Sequence, residues 1–73
     1  MKGTLEGLES RWDSPGLGLA EIEYANEPEV GRVFDFSRDG DPYWHTSTVQ
    51  SVERKDGEIR FRTRNTTYIL RPQ

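Results

Sequence analysis

His45 is the single histidine of the chain and the starting point for any nucleophilic chemistry. A serine–histidine–aspartate site would combine it with Ser47 or Ser51 and with an aspartate from residues 35–41. Such a site also needs a carboxylate behind the imidazole and an oxyanion hole in front of the reacting carbon. No turn in the sequence would present a nucleophile, and Ser47 lies about 6 to 7 Å from His45 along an extended chain. We therefore expect no catalytic residue, and an exposed histidine on a strand.

Oxygen-bearing side chains alternate over residues 35–41, as they do at the start of a calcium-binding loop. The twelfth position of that loop would be Thr46, where calcium needs a bidentate glutamate, and Arg38 lies inside the would-be cage. Aspartate and glycine are also ordinary turn residues. The segment is therefore predicted to be a solvated hairpin loop, with no metal and no cofactor. Its polar residues are Asp35, Ser37, Asp39 and Asp41.

Three arginines at alternate positions form a ladder that is suited to binding. They are Arg60, Arg62 and Arg64, about 6.5 to 7 Å apart along an extended strand. Three like charges in a row repel each other unless something opposes them. Either glutamates of the same chain pair with the ladder, or its unneutralised end meets a phosphate or carboxylate of a partner.

The aromatic and polar cluster Tyr43-Trp44-His45 is the second group suited to binding. A strand buries alternate residues, so either Trp44 points inward and its two neighbours outward, or the reverse. Exposed rings beside arginines are typical of a protein hot spot or of a surface that stacks unpaired bases. A chain with few large apolar residues also needs rings in its core, which favours a buried Trp44 and leaves Trp12 open.

Length and composition limit the elements that position these residues. The chain has 73 residues, 32% of them hydrophobic and 32% charged, so we expect one small domain over residues 1–73. This composition excludes a membrane span and a large ligand cavity. There are no cysteines and hence no disulfide or thiolate site. The Met1 start lacks the features of a signal peptide, so a cytoplasmic location is expected.

The net charge of −3 argues against general binding to duplex DNA or anionic membranes, because both need a net basic field. The charge is unevenly distributed along the chain. Residues 1–30 contain seven acidic and two basic residues, whereas residues 53–73 contain six basic and three acidic ones. The simplest interpretation is that acidic N-terminal and basic C-terminal strands lie side by side and pair their outward charges.

The dipeptide Asp56-Gly57 is the clearest structural signal, since Asp-Gly between two alternating segments is typical of a two-residue type I′ hairpin. Core-side residues face each other when the register is counted outward from this turn. A bulge near residues 50 and 51 is then needed to turn both Val49 and Val52 inward. The predicted pairs are Lys55 with Glu58, Arg54 with Ile59, Glu53 with Arg60, and Val52 with Phe61.

Alternating residues predict further strands, and the alternative of a helix over residues 17–26 is disfavoured by Gly16, Gly18 and Pro28. Five or six short strands predict an all-β fold, a small SH3-like barrel, with an OB-like barrel or a bent antiparallel sheet as alternatives. The predicted strands are Thr4 to Trp12, Leu17 to Tyr24, Val30 to Phe36, Tyr43 to Arg54, Glu58 to Arg64 and, after an interruption at Asn65 to Thr67, Tyr68 to Leu70.

Three spaced motifs stand out in about the last two-thirds of the chain. They are Pro28-x-Val30-Gly31-x-x-Phe34, Trp44-x-Thr46-Ser47-x-Val49 and Phe61-x-Thr63-x-Asn65-Thr66-x-Tyr68. Together they resemble a pattern in small uncharacterised all-β proteins of phage and bacterial genomes. The resemblance implies an SH3-like barrel and brings no catalytic residue with it.

These observations predict a non-enzymatic binding module whose first expected partner is another protein. If the origin is a phage, inhibition of a host protein is the natural form of such binding. Single-stranded nucleic acid is an alternative partner, and self-association, for example as a homodimer, is a third possibility. No membrane partner is expected. The residues expected to make contact are Tyr43, Trp44, His45, Arg60, Arg62 and Arg64.

Overall fold

The computed structural model describes residues 1–10, 19–64 and 66–73, with the side chains of all except Glu9, Ser10 and Tyr43. These ranges contain no helix, so the helical alternative is wrong over residues 19–26. The described residues therefore include no helix that could cross a membrane. The strands are β1 (Lys2–Ser10), β2 (Leu19–Glu23), β3 (Val33–Arg38), β4 (Asp41–Lys55), β5 (Glu58–Thr63) and β6 (Thr66–Pro72).

The six strands form a closed antiparallel barrel, which confirms the predicted fold class of a small SH3-like or OB-like barrel. Each strand pairs with the next in sequence, and β6 returns to pair with β1. Closure hides the strand edges that would otherwise invite aggregation. The β2–β3 seam is the least paired part of the barrel, since only Glu23 and Ser37 are in register there.

Four strand starts differ from the prediction: β1 begins at Lys2 rather than at Thr4, β4 begins at Asp41 rather than at Tyr43, and the starts of β3 and β6 also differ. Strand β3 begins at Val33 rather than at Val30, because residues 29–32 form a turn in which the Arg32 N–H donates to the Glu29 carbonyl over 3.2 Å. Gly31 has φ +90° in this turn, a conformation that favours glycine. Strand β6 begins at Thr66 rather than at Tyr68, and the Thr66 N–H donates a hydrogen bond to the Thr63 hydroxyl over 3.2 Å.

The hairpin between β4 and β5 has the predicted register. Asp56 and Gly57 have φ 52° and 77°, so both are left-handed as a type I′ turn requires. A register shift between Val49 and Ser51 confirms the predicted bulge. The four cross-strand pairs are confirmed: Lys55 with Glu58, Arg54 with Ile59, Glu53 with Arg60, and Val52 with Phe61.

Strand β4 carries two further irregularities that the sequence did not predict. Its pairing with β3 shifts once between Asp41 and Trp44, and again between His45 and Thr48. Each shift places one extra residue in β4, and extra residues bend a strand. The 15 residues of β4 can therefore curve from the sheet formed with β3 into the sheet formed with β5.

The barrel interior is filled by alternate residues of all six strands, as the alternation predicts. A chain of aromatic rings crosses it: the Phe61 and Phe34 centroids are 5.2 Å apart, and the Phe34 and Phe36 centroids 5.7 Å. The buried core residues are Leu5, Ala20, Ile22, Tyr24, Phe34, Phe36, Val49, Ile59, Phe61 and Leu70.

Charges of the acidic and basic halves meet where β1 lies beside β6. Arg71 donates one hydrogen bond to Glu6 over 3.0 Å and another to Glu58 over 2.6 Å, so a single guanidinium links β1, β5 and β6. The hydrogen bond to Glu6 and then that to Glu58 raise the pKa of Arg71 above its ordinary value. The predicted pairing of the two halves is therefore confirmed at this position.

Candidate functional site

The hairpin between β3 and β4 positions the aromatic cluster. Its turn residues Asp39 and Gly40 have φ 53° and 80°, so it is a second type I′ turn, with Arg38 opposite Asp41. Residues 35–41 thus form the predicted hairpin. In the part of the chain that the structure describes, no group of three or more histidine or acidic side chains is placed to hold a metal ion.

Trp44 lies at the surface, so the expectation of a buried Trp44 is wrong. The register shift after Asp41 places Trp44 opposite Phe36, which is itself buried in the core. The indole packs over the outer end of Phe36, with 6.2 Å between centroids and 22° between planes, and stays 40% exposed. Phe36 already fills the interior at this level of the barrel. Trp12 lies outside the described residues.

Arg38 supplies the cation beside this ring. Its guanidinium carbon lies 5.3 Å from the centroid of Trp44, within the range of a cation–π interaction. The Arg38 Nε also lies 3.7 Å from a carboxylate oxygen of Asp39. The Trp44 ring is therefore held by Phe36 and Arg38 together. Arg38 is not among the predicted site residues. The Asp39-Gly40 dipeptide could have identified it, because a two-residue turn at Asp39 and Gly40 puts Arg38 at the end of the preceding strand.

Thr46 anchors the strand beside Trp44. Its side chain is buried, and its Oγ1 accepts a hydrogen bond from the Phe34 N–H over 3.1 Å. The same hydroxyl donates to the Ser47 carbonyl over 2.7 Å. The register shift lies at this point, so the Thr46 hydroxyl satisfies a main-chain donor that regular pairing would have satisfied with a carbonyl.

His45 is exposed on the outer face of β4, opposite Asp35 of β3. An exposed position on a strand is what the sequence predicted for it. The backbone of Tyr43 belongs to β4, and its side chain lies outside the described part of the structure.

The arginine ladder starts on the outer face of β5 with Arg60 and Arg62, and Arg64 directly follows Thr63, the last residue of the strand. Arg60, Arg62 and Arg64 are exposed and alternate with buried residues. None of the three forms an ion pair with another residue that the structure describes. Arg60 has the predicted register partner Glu53 without an ion pair between them, so the predicted internal pairing of the ladder is wrong for the described side chains.

The ladder and the aromatic cluster are held by different contacts. The cation that packs on Trp44 is Arg38, and within residues 1–10, 19–64 and 66–73 no ring contact or ion pair joins the cluster to the ladder. The two groups therefore offer two chemically different surfaces: an aromatic ring with one paired cation, and three arginines that form no ion pair with a described side chain.

Comparisons with protein families, with curated proteins and with solved structures find no match to this chain. The resemblance to small phage and bacterial proteins stays a prediction.

Proposed function

We propose that the protein is a non-enzymatic module that binds another protein through the Trp44 patch, which consists of Arg38 and Trp44, with Tyr43 and His45 adjacent to Trp44 in the strand. The observation that carries this proposal is the half-exposed indole held between a core phenylalanine and an arginine. Trp and Arg are enriched among the few residues that dominate protein interfaces.

Rigidity strengthens this interpretation. The Trp44 ring continues the line of rings that runs from Phe61 through Phe34 and Phe36, and the hydrogen bond that Thr46 accepts from the Phe34 N–H ties its strand to β3. A ring that is already ordered loses little conformational entropy when a partner covers it. The patch therefore favours binding over catalysis, which would need a nucleophile, a base and an oxyanion site together.

A protein fits the patch better than a nucleic acid. The register places three carboxylates around it, because Asp35 lies opposite His45, Asp39 contacts Arg38, and Asp41 lies opposite Arg38. These carboxylates repel phosphates, whereas surfaces that bind single strands combine rings with a cationic groove. The resemblance to small phage and bacterial proteins makes inhibition of a host protein the form of binding that we propose.

Comparative capture from a lysate of the native host tests the proposal. The bait is the wild-type chain, the Trp44→Ala variant or the Val30→Ala variant, and retained proteins are quantified by mass spectrometry. Val30 is 64% exposed in the turn before β3 and serves as the matched apolar control. We expect a protein that both wild type and Val30→Ala retain and that Trp44→Ala loses about 30-fold, the ratio of a hot spot of about 2 kcal/mol.

Purified captured protein then allows a titration with Arg38→Gln, which should also weaken binding because the indole loses its cation. Circular dichroism establishes that each variant is folded. Equal capture by wild type and Trp44→Ala contradicts the proposal. Nucleic acid in the eluate, with binding that falls steeply as salt rises, favours the alternative partner.

A further inference from the structure

We propose that Arg60, Arg62 and Arg64 form a second interaction surface, independent of the Trp44 patch, that binds an extended acidic segment of a partner protein. The proposal concerns the ladder alone and holds whether or not Trp44 is a hot spot.

The ladder can contact a ligand through its side chains but not through the main chain of β5. Strand β5 pairs with β4 on one side and with β6 on the other, so its main chain has no free edge over residues 59–62. A ligand must be held by the guanidinium groups. Arg60 and Arg62 lie about 6.7 Å apart along the strand, and Arg64 follows the last strand residue, Thr63. An extended peptide repeats its own alternate side chains at the same interval. Carboxylates at every second position can therefore face Arg60 and Arg62 at once, with Arg64 next along the chain.

The described carboxylates beside the ladder form no ion pair with it. Glu6 and Glu58 both accept hydrogen bonds from Arg71, and Glu53 makes no ion pair with Arg60 although the two are in register. The cross-strand neighbours of the central arginine are hydroxyl residues. They are Ser51 and Thr67, on either side of Arg62.

Guanidinium groups that follow one another along a strand repel each other, and an anionic ligand reduces that repulsion. The guanidinium fork also binds carboxylate with two parallel hydrogen bonds, which a lysine ladder would not do. An acidic ligand is therefore the one that fits both the charge and the geometry of this face.

An acidic peptide fits the face better than single-stranded nucleic acid does. Surfaces that hold unpaired strands place aromatic rings beside the cationic groove, so that bases stack on them. The described cross-strand neighbours of the ladder contain no aromatic ring: they are Glu53, Ser51, Ile69 and Thr67.

A titration at low ionic strength, followed by amide chemical shifts, tests the ladder directly. The probe is a short peptide in which glutamate and serine alternate, and its control has the same composition with contiguous glutamates. We expect millimolar binding of the alternating peptide that shifts β5 amides and weakens as salt rises, because each exposed ion pair contributes little.

The variants separate a local site from net charge. Arg62→Gln should weaken binding about threefold, and the triple change to glutamine at residues 60, 62 and 64 should abolish saturable shifts. Arg32→Gln, whose side chain is 78% exposed and lies in the turn before β3, makes the same charge change elsewhere and should leave the affinity unchanged. All these side chains are exposed, so melting curves should stay close to that of the wild type.

Four results would overturn the proposal. They are equal weakening by Arg62→Gln and Arg32→Gln, equal binding of the contiguous and alternating peptides, tighter binding of oligothymidylate than of the acidic peptide, and self-association of the chain that Arg62→Gln abolishes. Self-association that Arg62→Gln abolishes would mean that the ladder binds the acidic strands of a second copy of this chain.

Discussion

Replacing Thr46 with valine should destabilise the barrel far more than an isosteric change on a strand usually does. The side chain keeps its shape and its β-branch, and it loses only the hydroxyl. That hydroxyl accepts from the buried Phe34 N–H over 3.1 Å and donates to the Ser47 carbonyl over 2.7 Å. Valine leaves the Phe34 N–H without this acceptor, at the register shift between His45 and Thr48.

The expected loss is about 2 kcal/mol. A buried donor that loses its acceptor costs about 1 to 3 kcal/mol, and the partly buried second bond contributes less. A chain of this length has a total stability of about 4 to 11 kcal/mol. Thr46→Val should therefore lower the melting temperature by about 8 to 16 °C, since 1 kcal/mol corresponds to about 4 to 8 °C in a domain of this size.

Urea unfolding followed by circular dichroism gives the measurement, with Thr48→Val as the matched control. Thr48 is exposed on the same strand, opposite Val33, so its change should stay within about 0.5 kcal/mol. If both variants unfold at the same urea concentration, the Thr46 hydroxyl is not what holds the bulge. The account of how Trp44 is positioned would then be wrong.

Changes at three further positions probe the β4–β5 turn, the close approach of β1 to β6, and the core. Gly57→Ala should lower the free energy of unfolding by about 1 to 2 kcal/mol, because Gly57 has φ 77°. Gly57→Asn should lower it less, and equal urea midpoints for the two variants would contradict a left-handed turn. Gly3→Ala should cost about 1 to 3 kcal/mol, because a Cβ there would lie 2.8 Å from the Arg71 carbonyl oxygen, and an unchanged midpoint would contradict that close approach. Burial, and then the nearby Glu27 carboxylate, raise the pKa of Tyr24 above 10.0, so the folded state favours the neutral phenol. That stabilisation is complete below about pH 10 and is lost as the pH rises through the folded-state pKa. Between pH 9 and 11 the free energy of unfolding should therefore fall less for Tyr24→Phe than for the wild type. An equal fall in the two proteins would contradict this prediction.

Local signals predicted the parts of the fold in which the chain pairs with its near neighbours. The Asp56-Gly57 turn sets a register that can be counted by hand, and the parity of Val49 and Val52 reveals the bulge between them. For the other Asp-Gly turn, at residues 39 and 40, the sequence predicts a hairpin loop but no register. Its flanking residues Arg38 and Asp41 are both polar, so no alternation marks the strand ends on either side.

The surface position of Trp44 could not be read from alternation. It depends on two register shifts in β4 that no local pattern signals, and on Phe36, which occupies the interior beside Trp44. Register also does not determine ion pairing, because two long side chains in register can point apart. Glu53 and Arg60 illustrate this, since they were paired correctly from the sequence and yet form no ion pair.

Site-specific photo-crosslinking in the native host is the most direct test of the Trp44 patch as a protein-binding surface. A photoreactive phenylalanine is placed at His45, beside the indole, and in a second protein at Glu21, which is exposed on β2. We expect a crosslink to another protein from position 45 that is absent from position 21 and that Trp44→Ala abolishes. Crosslinks of equal yield from both positions, or crosslinks only to a second copy of this chain, would contradict the account.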